Sequence, residues 1–246
     1  MVSNELDNYE SKEYNENRGN EKNENRENRE HAAQEIVGDK DCNGWTVDWW
    51  KWLLSKSDEE SPFTVFGHAG PDRYVAGQPN EVQRRSMKEY GHSVWFLCPS
   101  PYSGDKMIGI NIPKGTWSIL ATPYVAVASN EAYPSLKTTA QLRKHVEDDV
   151  AGLYDLWAKL DGTSLNGCVV KMTDMPFEID NVPIRNMLGM DEETVRQKQG
   201  KIKMVQYGHW IWLKPLSPGD HLLHLHGFSK NYELDVKFQL NVTGPQ

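Results

Sequence analysis

The chain has 246 residues, 38% of them hydrophobic, with a mean hydropathy of −0.69 and a formal charge of −8; that is enough for one large domain or two small ones. The charge is uneven, since Met1 to Asp41 holds twelve acidic and six basic residues, a net of −6, and leaves −2 for the rest. A near-neutral body with no concentrated basic face argues against nucleic-acid binding, and no apolar run is long enough to span a bilayer.

Residues 1–36 are of low complexity. Asn-Glu-Asn-Arg occurs at Asn15–Arg18 and again at Asn23–Arg26, and apolar residues are sparse. Such a segment cannot bury enough surface to offset its ordering entropy, so a disordered, solvated tail is expected. Met1 is followed by acidic, Asn-rich sequence rather than a basic stretch and an apolar core. As written the chain carries no secretory signal and reads as cytoplasmic. Cys42, Cys98 and Cys168 are odd in number and form no Cys-x-x-Cys pair. Reduced thiols are expected rather than a disulfide framework or a structural zinc site.

A folded body is expected from residue 42 to the end. Thr46 to Ser55 reads as a short helix capped by Thr46, with Trp49, Trp50, Leu53 and Leu54 at helical spacing. Trp49, Trp50 and Trp52 suit either sugar stacking or a core-covering face, and their periodicity favours the core. Lys56 to Gly91 is rich in Gly, Pro, Asp, Ser and Arg and reads as a long loop that contains His68. Strands are expected at Ser93–Cys98, Met107–Ile112 and Trp117–Ala128, the last interrupted by Pro123. Thr138 or Thr139 opens a helix whose Leu142, Val146 and Val150 share a face. Gln141 stands where a capping box from Thr138 would place it, and Gly152 is its expected stop. His145 falls on the flank of that helix as a structural residue, and Asp148-Asp149 reads as its solvated face.

Leu156–Leu160 and Asp161-Gly162 form a hairpin signal, because Asp-Gly supplies the positive backbone angles of a tight primed turn. Cys168–Met172 and Phe177–Ile179 extend the sheet, and Asp191–Gly200 suits one short charged helix. Met204–Leu213, Pro215–Gly219 and His221–Phe228 read as a second hairpin, and Leu234–Val242 alternates strictly as a half-buried strand. Strands at turn-punctuated intervals with two or three short helices predict an all-β fold. The expected form is a β-sandwich, Ig-like or jelly-roll-like, in a single domain over residues 42–246 after the disordered tail.

The chemistry concentrates in His221-Leu222-Leu223-His224-Leu225-His226-Gly227. Alternate residues of a strand share a face, so His224 and His226 point the same way, and two imidazoles at that separation can bind copper or zinc. His209, one strand earlier, joins them if the hairpin register sets it opposite His224, and points away after a one-residue slip. The segment is similar to the His-Pro-x-His-x-His-Gly stretch of multicopper oxidases. The further His-x-His pairs and the Cys flanked by histidines are missing, which excludes a three-copper cluster in a monomer. It is also similar to the first cupin motif, but Glu233 lies seven residues after His226, Gly219 lies five before His224, and the second cupin motif is missing. No nucleophile elbow, phosphate-cradling loop, His-Glu-x-x-His or dinucleotide fingerprint occurs.

Trp49–Trp52, Val94–Leu97, Pro113–Gly115, Tyr133–Leu136, Leu160–Gly162 and Trp210–Gly219 together resemble an uncharacterised group of bacterial and archaeal β-sandwich proteins. The resemblance spans Trp49 to Val242. Members of that group are typically exported and carry a Gly-x-His-x-Ile-His-Phe strand, to which Gly219–Leu225 is similar. The resemblance implies a fold and not an activity. The expected function is a non-enzymatic interaction or structural module, with a protein or carbohydrate as its partner. The alternative is a metal-binding protein or a cupin- or cupredoxin-like enzyme using His221, His224 and His226, with His209 completing the shell around copper or zinc.

Overall fold

A computed structural model describes residues 36–57, 61, 81–98, 107–113, 115, 117–165, 169–173, 176–186, 188–229 and 232–243. The expected tail lies outside the described residues except for its last position, as do His68 and Cys168. In chain order the elements are α1 (Cys42–Leu54), α2 (Glu81–Tyr90), β1 (Ser93–Phe96), β2 (Met107–Ile112), β3 (Trp117–Ser129), α3 (Thr139–Ala151), β4 (Leu153–Leu160), β5 (Thr163–Ser164), β6 (Val169–Thr173), β7 (Phe177–Ile179), α4 (Glu192–Gln197), β8 (Ile202–Leu213), β9 (Gly219–Ser229) and β10 (Tyr232–Val242).

The strands form two sheets, β1-β3-β8-β6 with β7 also on β8, and β2-β10-β9-β4-β5. The fold is an all-β sandwich. Most pairs are antiparallel, but β1 runs parallel to β3 and β2 parallel to β10. The layer between the sheets is built from alternating positions, as a two-sided strand requires. Ile108, Ile110 and Ile112 of β2, Ile119 and Ala121 of β3, Ile211 and Leu213 of β8, and Leu223 and Leu225 of β9 meet there with Phe238 and Leu240.

The opposite face of the first sheet is covered by α1. Trp45, Trp49, Trp50 and Trp52 are all buried and pack on Phe96, Leu120, Trp210 and Trp212. Trp49 sits at the centre, edge-on to Trp50 at 5.0 Å and to Trp210 at 5.1 Å between ring centroids. The indole N–H groups must find acceptors when buried. Trp45 donates to Val37 O at 2.9 Å, Trp49 to Leu97 O at 3.0 Å, and Trp50 to Gln206 Oε1 at 2.8 Å. Gln206 in turn donates to Thr46 Oγ1 at 2.8 Å. Thr46 is therefore a buried link between α1 and β8, not a cap. The helix begins a turn earlier, where the Asp41 carboxylate accepts the Gly44 N–H at 2.8 Å.

Helix α2 lies in the stretch expected to be loop. Its buried face is polar and gave no apolar period. Gln83 and Ser86 are buried, the Gln83 amide donates to Val94 O, and Ser86 Oγ donates to His92 O at 3.1 Å. Helix α3 follows its sequence closely. Thr138 and Gln141 make the capping box, Leu142, Val146 and Val150 are buried, and Gly152 caps the end. This helix covers the second half of β3 and β8 through Ala126, Ala128 and Val205. Pro123 does not break β3. The register with β8 shifts between Ala121 and Tyr124, so the bulge absorbs the residue that cannot donate a ladder bond. Gly208 faces that bulge, and a Cβ there would lie 2.6 Å from Val125 Cα, so only glycine lets β8 approach so closely.

Candidate functional site

The expected β8–β9 hairpin does not form. Strand β8 pairs with β3, β6 and β7, whereas β9 pairs with β10 and β4. Pro215 and Pro218 bracket the link between them. Proline cannot donate to a ladder, so both strands end there and the chain crosses from one sheet to the other. His209 is consequently in the first sheet, opposite Tyr124 and Lys171, and no register question with His224 arises.

His221, His224 and His226 all lie on β9, and the pleat divides them. Leu223, Leu225 and Gly227 are buried, while the intervening His224, His226 and Phe228 are half-buried on the outer face. His224 and His226 thus share a face, as their spacing predicts. The neighbouring strands supply the rows across it. His226 stands between Trp157 of β4 and Asp235 of β10, and His224 between Lys159 and Lys237. The Trp157 ring stacks on His226 at 4.9 Å and 14°, and meets His224 edge-on at 4.7 Å. Lys159 Nζ is 4.9 Å from the same indole centroid.

The histidines are held by carboxylates. His224 Nε2 donates to Asp235 Oδ1 at 2.5 Å. His226 Nε2 lies 3.3 Å from Asp155 Oδ2, and its Nδ1 3.8 Å from Asp235 Oδ2. His221 has the other parity and sits at the start of β9, away from this row. Its Nδ1 donates to Asp161 Oδ2 at 2.7 Å and its Nε2 to Ser217 O at 2.9 Å. A carbonyl only accepts, so making both bonds protonates both nitrogens. The hydrogen bond to Asp161, opposed in part by burial, raises the His221 pKa above its ordinary 6.5. The same bond, with that from the Leu222 N–H, lowers the Asp161 pKa. Asp161 reaches β9 because Asp161-Gly162 is the expected primed turn, with φ of 50° and 81°.

Among the described residues, no group of three or more His, Cys, Asp or Glu side chains is arranged to hold a metal ion. Nor is any helix among them long and apolar enough to cross a membrane. The four candidate histidines occupy three separate environments. The partners Asp155, Trp157 and Asp235 carry no signal in the sequence taken locally. Their signal is the matched alternation Asp155-x-Trp157-x-Lys159 and Glu233-x-Asp235-x-Lys237, which has meaning only once both strands flank β9.

A second feature lies at the open edge of β3. Strand β1 ends at Phe96, and its last tie to β3 is the Leu97 N–H to Leu120 O bond of 2.9 Å. Strand β3 continues to Ser129 with no described strand on that side. A cavity of about 420 Å³ lies along this edge. Trp49, Trp50 and Leu53 of α1 form one wall, and Thr122 to Val127 of β3 form the floor except for Pro123. Tyr133 and Asp149 stand at the far side. Side chains of both parities can line it because the edge itself, not a face, is exposed. The Tyr124 hydroxyl is pushed above its ordinary pKa by burial first and by the Asp149 charge second. His145 packs on Tyr133 at 4.4 Å and lies 3.9 Å from Asp149. No sequence signal pointed to this site, because its residues come from α1, β3, α3 and the loops between elements, and are spread from Trp49 to Leu188. Comparison with known proteins finds no matching family model, curated protein or solved structure.

Proposed function

We propose that the chain is a non-catalytic β-sandwich binding module whose ligand site is the cavity at the β3 edge. One observation carries this. The cavity is concave, about 420 Å³, walled by aromatic and aliphatic side chains and furnished with a few polar groups, which is the make-up of small-molecule sites. On the outer histidine face, by contrast, each ring lies beside a carboxylate of a neighbouring strand. It serves as a cross-strand ladder that fixes β4, β9 and β10 in register.

A fragment screen by isothermal titration calorimetry tests the proposal. Saturable one-to-one binders are expected, and Ala132→Trp, which fills the cavity rim, is expected to abolish their binding while circular dichroism stays β-rich. Binders indifferent to that substitution would place the ligand site elsewhere.

Metal binding is the second proposal, and one observation favours it. The two oxygens of Asp235 face His224 Nε2 and His226 Nδ1, so two imidazoles of different residues turn toward one carboxylate. Copper(II) or zinc(II) would there take His224 and His226 and complete its shell with water, since no three described side chains are arranged to hold it. Lys159 and Lys237, directly opposite His224, oppose a dication at this place. Equilibrium dialysis of untagged protein against zinc and copper decides it. Stoichiometric uptake lost in the His224→Ala/His226→Ala double variant would establish the metal site.

A further inference from the structure

We infer that the β3-edge cavity is built for an organic ammonium ion, an aromatic or aliphatic amine rather than a neutral or anionic ligand. This rests on the proposal that the cavity is a ligand site, and it goes on to name the ligand's chemistry. Three observations support it.

The first concerns the charge of the lining. Asp149 is the charged side chain among the described lining residues, and no lysine or arginine lines the cavity with it. The nearest described lysine on α3, Lys144, is paired with Asp148 at 2.5 Å. His145 touches Asp149 only at 3.9 Å. Among the described residues the Asp149 carboxylate has no closer cationic partner than this, and it is 48% exposed, so a ligand can reach it.

The second concerns the walls. Trp49 and Trp50 contribute rings whose N–H groups are already given to Leu97 O and Gln206 Oε1. They can offer a ligand π surface and dispersion, not hydrogen bonds. Tyr124 and Tyr133 add two more rings to the same cavity. Aromatic walls around a cation attract it through the ring quadrupole, and desolvation strengthens that attraction. A carboxylate beside several aromatic faces is the recognised chemistry for an ammonium head carrying an apolar body.

The third concerns the field. The burial-raised Tyr124 hydroxyl feels the negative charge of Asp149 across the cavity. Asp149 thus acts as a negative charge on a group that lines the cavity. The size sets the scale of the ligand. At about 420 Å³ the cavity lies toward the small end of the range of roughly 300–1,000 Å³ for ligand sites, suited to a one- or two-ring amine and not to a peptide.

The experiment compares three ligands of one shape: 2-phenylethylamine, 2-phenylethanol and phenylacetate. Calorimetric titrations into the full chain at pH 8 keep the amine charged and lie above the ordinary imidazole range. The amine is expected to bind saturably, at least about tenfold tighter than the alcohol, with no binding of the acid. Benzyltrimethylammonium, which cannot donate a hydrogen bond, is expected to bind as well, because charge and aromatic faces do the recognition. Asp149→Asn, on an exposed helix position, is expected to weaken the amine about tenfold and leave the alcohol unchanged. Asp148→Asn removes the same charge one residue away and is expected to leave the amine unchanged. Equal affinity for amine and alcohol overturns the ammonium inference while leaving a binding cavity. An equal loss in the Asp148 and Asp149 variants overturns it too, since the effect would then be net charge alone. Failure of all four ligands to bind overturns it outright, and failure of the fragment screen as well would remove the ligand site beneath it.

Discussion

Two clusters of unusual residues invite a functional assignment, the tryptophans of α1 and the histidines of β9, and the structure treats them oppositely. Trp45, Trp49, Trp50 and Trp52 are all at most 4% exposed and form the cover of the first sheet. His224 and His226 remain at the surface of the second sheet, yet each is tied to an aspartate. The tryptophans are largely taken up by packing, with Trp49 and Trp50 also walling the cavity, and the histidines by pairing. A third place lies where α1 and α3 flank a stretch of β3 that no described strand pairs on its outer side. A conspicuous residue run is a poor guide when its neighbours across the fold can satisfy it.

The sharpest way to break this comparison is Trp50→Ala. Trp50 is 3% exposed and its N–H is bonded to Gln206. Truncation should destabilise by about 3–5 kcal/mol in equilibrium urea unfolding. A neutral result would mean that Trp50 does not belong to the core.

Gly208→Ala probes the bulge that shapes the cavity floor. A Cβ would lie 2.7 Å from Tyr124 O and 2.6 Å from Val125 Cα, both backbone atoms with little room to give. A loss of about 1–3 kcal/mol is expected, read as a lowered urea midpoint with an unchanged slope. An unaltered midpoint would mean that β3 and β8 move apart freely at this point.

The double variant His224→Ala/His226→Ala sharpens the contrast from the other side. Partly exposed ion pairs of this kind contribute about 0–1 kcal/mol each. The fold should persist by circular dichroism, with a loss below about 2 kcal/mol. A loss comparable with that of Trp50→Ala would make the ladder part of the core.

The smallest expected effect is that of pH on the His221–Asp161 pair. His221 has a raised pKa, so its contribution is complete below its unfolded value near 6.5 and is lost as pH rises through the folded one. Asp161 has a lowered pKa, so its contribution is present above about 3.8 and is lost as pH falls through the folded value. Asp161 is about half exposed, and water screens the pair, so it contributes at most about 1 kcal/mol. Asp161→Asn, which keeps an acceptor for the Leu222 N–H, should lower the melting temperature slightly between pH 5 and 6. The two curves should converge at alkaline pH. A gap that widens with rising pH would contradict the sign.

The sequence by itself determined the elements whose physics is local. The capping box at Thr138 and Gln141, the apolar row Leu142, Val146 and Val150, and the primed turn at Asp161-Gly162 follow from residues within a turn or two of one another. The alternation that puts His224 and His226 on one face is equally local, since the strand period is fixed by the backbone. The all-β class follows from summing such signals. Only the tertiary structure decided what each exposed group would meet. Helix α2 was invisible because its buried face includes Gln83 and Ser86, which satisfy the backbone carbonyls of Val94 and His92 beyond the helix. Whether β8 and β9 pair or part company depended on which sheet each strand joined after the prolines. That choice moved His209 away from the histidine face. The cavity depended on β1 stopping at Phe96 while β3 runs on, a difference in length between two strands that no local pattern encodes. Periodicity is a property of neighbours along the chain, whereas charge partners, strand edges and cavities are properties of neighbours in space.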